Sequence, residues 1–152
     1  MKKKLVIRNQ VGELARVASF VEDLSVELRL DMEARMNLNL ALEEMVSNVI
    51  FYAYPKDTDG CIELMAESDG KELTLVLSDQ GREFDPTLKS DTDMNVNPAE
   101  RKLGGMGIFI VKNILDEVSY QRQEGRNLLT MKMRLWGYAP GTYELWIVNY
   151  EI

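Results

Sequence analysis

Apolar residues recur along this chain with two different periods, and each period predicts one type of element. The first predicted element is a short edge strand over Lys3–Arg8. Apolar residues then recur at three- and four-residue steps over Gly12–Leu30 and over Leu38–Tyr54, which predicts two amphipathic helices. The first helix is expected to end near Asp31, and Pro55 ends the second because proline cannot continue a helix.

Strands are predicted where the period changes to two. Cys61–Glu67 and Glu72–Ser78 alternate apolar and polar residues, and the Asp69-Gly70 pair between them is typical of a hairpin. The periodicity then lapses from Gly81 to Leu103. Because a loop of about twenty residues is uncommon within a compact domain and usually functional, we expect a mobile functional segment here.

Three further elements complete the predicted order. Ile108–Leu115 has the pattern of an apolar helix, and Val118–Arg122 and Leu128–Leu135 have that of strands. The chain shows no internal repeat or linker, so we expect one domain over residues 1–135, with the aromatic-rich residues 136–152 as a C-terminal extension of the same domain. The extension is expected either to extend the core or to form an interface, where Trp and Tyr are common.

Polar residues form a second stripe along the central helix. Asn37, Glu44 and Asn48 are related by steps of seven and four, so Glu44 and Asn48 lie one turn apart at the margin of the apolar face. Such a carboxylate and carboxamide can activate a hydroxyl or a water molecule and hold a divalent ion through oxygen. The alternative is that both side chains only solvate the margin of the helix.

The composition argues against some classes of function. Among 152 residues, 25 are acidic and 18 basic, and the resulting charge of −7 argues against direct binding of nucleic acid. No apolar run approaches the length of a membrane span and no signal-peptide core follows the first lysines. The single cysteine, Cys61, suits a reducing cytoplasm, and its strand context predicts a buried thiol.

The sequence contains no histidine. A Ser-His-Asp triad, a histidine zinc site and autophosphorylation on histidine are therefore excluded within this chain. Any general base must be a carboxylate, a lysine, a tyrosine or the lone thiol.

Two glycine-containing segments extend the candidate chemistry. In Gly104-Gly105-Met106-Gly107 the glycines precede a helix, whose N-terminus can bind phosphate through backbone N–H groups, although ordinary loop-helix junctions also use glycine. Asp79 ends a strand, and its carboxylate can accept a hydrogen bond from an exocyclic amino group such as that of adenine.

Near these segments, Gly81 would let the backbone approach a flat base closely. Arg101 and Lys102 precede the glycines of the second segment, where they either stabilise a γ-phosphate or are solvated loop charges.

Four ordered segments resemble motifs of the GHKL ATPase superfamily, and most closely those of the bacterial anti-sigma factor serine kinases. Ala41–Tyr54 is similar to the N-box of that family, Asp79–Pro86 to its first glycine box and Gly104–Val118 to its second. Gly125–Lys132 resembles the last-strand segment that helps to hold adenine. The resemblance covers roughly residues 2–135, and four motifs in order are fairly specific.

The resemblance implies an α/β (α+β) two-layer sandwich of the Bergerat type, in which helices cover one face of a mixed, mainly antiparallel sheet. It also implies an ATP-binding anti-sigma factor with protein serine kinase activity. Such a protein transfers the γ-phosphate of ATP to a serine of a STAS-type anti-anti-sigma factor, and it regulates transcription by sequestering a sigma factor. Family members often work as dimers, and the sequence identifies no interface residues.

The catalytic roles that the resemblance implies fall on the central helix. Glu44 would be the base near the γ-phosphate, and Asn48 would be the ligand of Mg²⁺ that accompanies ATP. Neither role follows from the helix pattern alone.

The nucleotide-binding roles that it implies lie in the other three segments. Asp79 would bind the amino group of adenine, with Gly81 making room for the base and Thr130 holding adenine through water. Gly105 and Gly107 would contact the phosphates.

Two departures from the family pattern keep alternatives open, namely Glu83 in the first glycine box and the aromatic residues 136–152, which extend beyond the family core. The first glycine box usually has a second glycine where this chain has Glu83. One alternative is a nucleotide-dependent switch that binds a partner with negligible kinase activity, and another is a related fold that has lost nucleotide binding. The lack of histidine and of a separate dimerisation helix pair argues against a complete histidine kinase.

Overall fold

Five strands and three α-helices make up the computed structural model, which describes residues 1–88 and 107–135. The strands are β1 (Lys2–Arg8), β2 (Cys61–Ser68), β3 (Glu72–Asp79), β4 (Glu117–Gln123) and β5 (Arg126–Arg134). The helices are α1 (Leu14–Glu27), α2 (Met32–Asn48) and α3 (Gly107–Ile114), with short 3₁₀ turns at Val11–Glu13 and Pro86–Leu88 and a π-helical turn at Val49–Ala53. None of the helices within the described ranges is long and apolar enough to cross a membrane.

The strands form one sheet in the order β1-β2-β3-β5-β4. Every strand pair in the described ranges is antiparallel, so the parallel component of the expected mixed sheet does not occur there. Along the central strand β3, Leu73, Leu75 and Leu77 are buried in the core. The helices cover this face with α2 in the middle, packed against both α1 and α3. The predicted two-layer sandwich with helices on one face is confirmed.

Helix α2 begins six residues earlier than its apolar period predicts. Asp31 is its N-cap, and the Asp31 carboxylate accepts a hydrogen bond of 2.8 Å from the backbone N–H of Ala34. The first two turns expose Met32 and Met36, so the residues that face the core start only at Leu38. A helix whose first turns lie outside the core has no apolar period there to reveal it.

The Cys61 thiol is exposed, and the prediction that it is buried is wrong. Successive side chains of a strand point to opposite faces of the sheet. Ile62 occupies the core face at the start of β2, which places Cys61 on the opposite face.

Candidate functional site

Two glycines mark places where other segments contact α2 and its C-terminal turn. A β-carbon at Gly107, the first residue of α3, would collide with the Glu44 carboxylate. A β-carbon at Gly81, just after β3, would collide with the backbone carbonyl of Ala53. In this structure both glycines therefore serve a close approach to the central helix.

Asp79 lies at the end of β3 with only 2% of its surface exposed. Its Oδ1 accepts hydrogen bonds from the backbone N–H of Gly81 (2.9 Å) and from Asn127 Nδ2 (2.8 Å). Burial raises the pKa of the Asp79 carboxyl above its ordinary value, and these two hydrogen bonds counteract only part of that rise. Both hydrogen bonds go to one oxygen, so Oδ2 is the acceptor available to a ligand.

Asn127 connects Asp79 to the segment that follows β3. It pairs with Asp79 in the register of β3 and β5 and is almost fully buried. Its Nδ2 donates to Asp79 Oδ1 and to the backbone carbonyl of Arg82, each at 2.8 Å. Its Oδ1 accepts hydrogen bonds from the backbone N–H of Phe84 (3.2 Å), the hydroxyl of Tyr120 (2.6 Å) and the guanidinium of Arg122 (3.1 Å).

Asn127 was not predicted from the sequence as a site residue, although its place in the alternating pattern of β5 was one indication. Asn127, Leu129, Met131 and Met133 are the buried, helix-facing positions of β5. An amide at an inward position of an otherwise apolar series is unusual, because burying it requires hydrogen-bond partners.

Thr130 lies on the other face of the sheet from Asp79. It pairs with Val76, and both are only partly buried, whereas Leu129 and Met131 on either side of Thr130 face the core. The structure therefore does not bring Thr130 to Asp79. Asn127 is the β5 residue that lies beside that carboxylate.

The segment after β3 is attached to the C-terminal turn of the central helix. The backbone N–H of Arg82 donates to the carbonyl of Ala53 (2.8 Å), and Arg82 Nε donates to the carbonyl of Tyr52 (2.6 Å). The Tyr52 and Phe84 rings stack with their centroids 5.3 Å apart. Glu83, between the two contacts, is exposed. The π-helical turn thus provides the surface on which this segment rests, and such turns are frequent at functional sites.

Tyr54 joins the same helix end to two strands. Its hydroxyl donates to the backbone carbonyl of Cys61 (2.7 Å) at the start of β2. The same oxygen accepts from the backbone N–H of Gln80 (3.0 Å), directly after Asp79. The position of Asp79 is thereby fixed relative to the end of the helix.

Asn48 is fully buried at the C-terminal end of α2, with 0% of its surface exposed. Neither amide atom, Oδ1 or Nδ2, has a hydrogen-bond partner among residues 1–88 and 107–135. Glu44 lies one turn before it, in contact with the start of α3. A buried amide without partners costs free energy, so an orphaned Asn48 indicates a ligand-binding position.

The predicted site residues lie at successive positions along the axis of the central helix, either on the helix or beside it. Glu44 is in contact with Gly107, and Asn48 lies one turn further along α2. Beyond Asn48, Gly81 contacts Ala53, and its backbone N–H donates to Asp79. Nine residues separate Glu44 from Ala53, which is about 13 Å at the helical rise of about 1.5 Å per residue. This length accommodates an elongated ligand with different chemistry at its two ends.

Four of the predicted site residues, Arg101, Lys102, Gly104 and Gly105, lie outside the described residues. Within the described ranges no group of three or more acidic, cysteine or histidine side chains is arranged to hold a metal ion. Within these ranges, Asn48 is therefore not part of a preformed acidic metal site, and substrate oxygens are one source of further ligands for a divalent ion.

Comparison with known proteins assigns the family. The family model described as "Histidine kinase-like ATPase domain" matches residues 7–133. The chain belongs to this family. The match runs from the end of β1 to near the end of β5 and includes every candidate site residue discussed above.

Curated relatives in this family are named as kinases and as an anti-sigma factor. The chain is 25% identical to the serine/threonine-protein kinase BtrW of Bordetella bronchiseptica, over 74% of this chain and 79% of that protein. It is 25% identical to the anti-sigma F factor of Clostridium novyi (89% and 94%) and 32% identical to the serine-protein kinase RsbW of Staphylococcus epidermidis (61% and 62%). The predicted resemblance and the predicted kind of enzyme, a protein serine/threonine kinase, are confirmed.

Solved structures of similar fold support the architecture. The RsbU and RsbW domains of Rv1364c from Mycobacterium tuberculosis match with a TM-score of 0.65 and 15% identity, over 89% of this chain and 32% of that one. The blue-light activated histidine kinase of Erythrobacter litoralis matches with a TM-score of 0.53 and 18% identity, over 82% and 41%. At these identities the likeness concerns the fold alone.

Proposed function

We propose that this chain binds ATP with Mg²⁺ and transfers the γ-phosphate to a serine of a STAS-type anti-anti-sigma factor. In the same proposal the chain sequesters a sigma factor and works in the cytoplasm. The observation that carries the proposal is the buried Asn48 amide without described partners, one turn after Glu44 on α2. The names of the relatives support a protein serine as the acceptor and a sigma factor as the target, and the STAS-type acceptor comes from the family resemblance.

At one end of this arrangement, Asp79 would bind adenine. The exocyclic amino group of adenine is a donor, and a carboxylate is the strongest acceptor for it among protein groups. Gly81 and Asn127 hold Asp79 through Oδ1 and so orient the carboxylate before any ligand arrives. We therefore assign base recognition to Asp79, with Asn127 as the residue that positions it.

The donor chemistry at Asn48 fits a magnesium ion that is shared with phosphate. Mg²⁺ prefers oxygen ligands and is commonly held by one or two protein groups, together with substrate phosphates and water. The Asn48 amide oxygen can supply one such ligand, and its lack of other described partners is consistent with that role. The ion would offset negative charge on the phosphate oxygens.

We assign Glu44 as the base that takes the hydroxyl proton of the acceptor serine. As the serine Oγ bonds to the γ-phosphorus, the bond from that phosphorus to the bridging oxygen breaks and ADP leaves. The hydroxyl proton goes to the Glu44 carboxylate, since the chain contains no histidine to take it. Contact with Gly107 holds Glu44 at the beginning of α3, where backbone N–H groups favour negative phosphate.

Glu83 does not argue for the alternative of a switch without kinase activity. Its side chain is exposed, and its backbone is not in the left-handed region that would require glycine. The substitution therefore brings no backbone strain into the chain. We retain the kinase as the proposed function.

Transfer of radiolabel from ATP to a purified STAS-type acceptor protein tests the proposal. The wild-type chain should label the acceptor on serine, and Glu44→Gln should reduce the rate about a hundredfold or more while ATP still binds. Glu67→Gln is the matched control, because Glu67 is exposed on β2 and its neighbour Ala66 faces the core, which places Glu67 on the sheet face away from the helices. Equal loss in both variants, or none in either, would show that Glu44 is not the base.

A further inference from the structure

An exposed apolar ridge runs along α2 towards the proposed reaction centre. It consists of Met32, Met36 and Leu40, whose surfaces are 77%, 65% and 38% exposed. We propose that this α2 ridge is the docking surface for the protein that presents the acceptor serine. The inference rests on the proposed function, since it identifies where the partner of that reaction binds.

Helical geometry makes the three side chains a continuous strip. They are four residues apart, so each lies one turn beyond the last on neighbouring parts of the helix surface. The opposite side of α2 faces the core through Leu38 and Met45. Three large apolar side chains at successive turns on the outer side of a helix are unusual for a surface that contacts only water.

The next residue in the same four-residue series is Glu44. At about 1.5 Å per residue, Leu40, Met36 and Met32 lie about 6, 12 and 18 Å from it along the axis. A standard interface covers about 800 Å² of each partner, equivalent to a disc of about 16 Å radius. A folded protein whose serine reaches Glu44 therefore also covers Leu40 and Met36.

A fourth exposed side chain lies on the neighbouring helix. Phe109 is 59% exposed, and it follows Gly107, which contacts Glu44, by two residues. It is an outward position of α3, the helix that packs against α2 beside the reaction centre. Apolar contacts are thus available on both helices that meet at Glu44, and methionine adapts readily to a partner's surface.

Charge at the ridge indicates the chemistry of the partner. The exposed Glu33 and Glu43 flank the ridge on α2. Arg35, the one cation on this helix, forms an ion pair with Glu22 of α1. The surface therefore fits a partner with an apolar centre and basic groups at its rim.

Binding of a purified STAS-type acceptor, with its serine replaced by alanine, tests the ridge independently of phosphate transfer. Met36→Lys places a charge in the apolar strip and should weaken binding at least tenfold while leaving ATP binding unchanged. Val6→Lys is the matched control: Val6 is 42% exposed and lies on the sheet face away from the helices, opposite Glu63. It should change the affinity less than twofold.

Several outcomes would overturn the inference. They are an unchanged affinity for Met36→Lys, an equal loss for Val6→Lys, and no binding by the wild-type chain. Sedimentation equilibrium adds another, because a wild-type dimer that Met36→Lys dissociates would assign the ridge to self-association. If the wild-type chain binds the acceptor but transfers no phosphate, the proposed kinase fails and the docking surface stands.

Discussion

Replacing Asp79 with asparagine should separate the stability of the fold from nucleotide binding. Asparagine keeps an Oδ1 that can accept from Gly81 and Asn127, and it removes a charge from a position that is 2% exposed. Because burial raises the pKa of Asp79, the folded state binds more protons than the unfolded state between the two pKa values. The free energy of unfolding therefore falls as the pH rises through that interval.

Above that interval, where Asp79 is ionised, its buried charge lowers stability, and ligand-free Asp79→Asn should be at least as stable as the wild type. Its pH dependence should also be flatter on the acidic side. Nucleotide binding should change in the opposite direction. A hydrogen bond to a charged acceptor contributes about 1.5–3 kcal/mol, so the dissociation constant for ATP should rise about ten- to a hundredfold.

These values predict a measurable difference in melting temperature. With ATP at about a hundred times the wild-type dissociation constant, ligand binding stabilises the wild type by about 2.7 kcal/mol. For a chain of this size that is a shift of about 5–10 °C. A variant that binds ATP a hundredfold more weakly is stabilised by only about 0.4 kcal/mol, which is a shift in melting temperature of about 1–2 °C.

Differential scanning fluorimetry with and without Mg-ATP, together with urea unfolding at pH 5 to 8, measures both effects. A full ATP-dependent shift in Asp79→Asn would refute the adenine assignment. A free energy of unfolding that is lower by more than about 1 kcal/mol in the ligand-free variant would refute the claim that the buried charge destabilises the fold.

Two further substitutions test neighbouring parts of the site. Asn127→Ala should lower the free energy of unfolding by about 2–3 kcal/mol in urea titrations, because Asp79 and the segment after β3 lose their shared hydrogen-bond partner. Gly107→Ala should reduce phosphate transfer at least tenfold in the radiolabel assay with little loss of stability, because the new methyl group displaces the flexible Glu44 side chain.

Matched controls distinguish these effects from general damage. Gly12→Ala is the control for Gly107→Ala, since a β-carbon at Gly12 meets nothing within 4 Å. Tyr120→Phe removes one hydrogen bond to Asn127 at a half-buried site and should cost less than about 1 kcal/mol. Wild-type transfer by Gly107→Ala, or an undiminished stability of Asn127→Ala, would contradict the roles assigned to those residues.

The elements with a strong apolar period were predictable from the sequence. The core face of α2 follows from the helical period, because seven of its residues are buried. The period also places Glu44 and Asn48 one turn apart, but Asn48 is one of the seven buried residues and does not lie at the margin. The start of α2 was not predictable in the same way. Asp31 is a recognisable N-cap residue, but the exposed turns behind it carry no apolar period.

The sequence of β5 indicates its buried face but does not decide it. Leu128, Leu129, Met131 and Met133 put apolar residues on both faces, and a shift of one residue exchanges the two faces. Only pairing with β3 shows that the Asn127 series points inward and that Thr130 does not. The placement of Thr130 beside adenine therefore depended on the resemblance alone.

The most direct test of the proposed kinase is transfer of the γ-phosphate of labelled ATP by the wild-type chain to a purified STAS-type acceptor. The account predicts acid-stable label on a serine of the acceptor and essentially none on the chain itself. The label should be lost with Glu44→Gln and retained with Glu67→Gln, which changes an exposed carboxylate on the other face of the sheet. An unlabelled acceptor, or stoichiometric label on the chain in its place, would contradict the account.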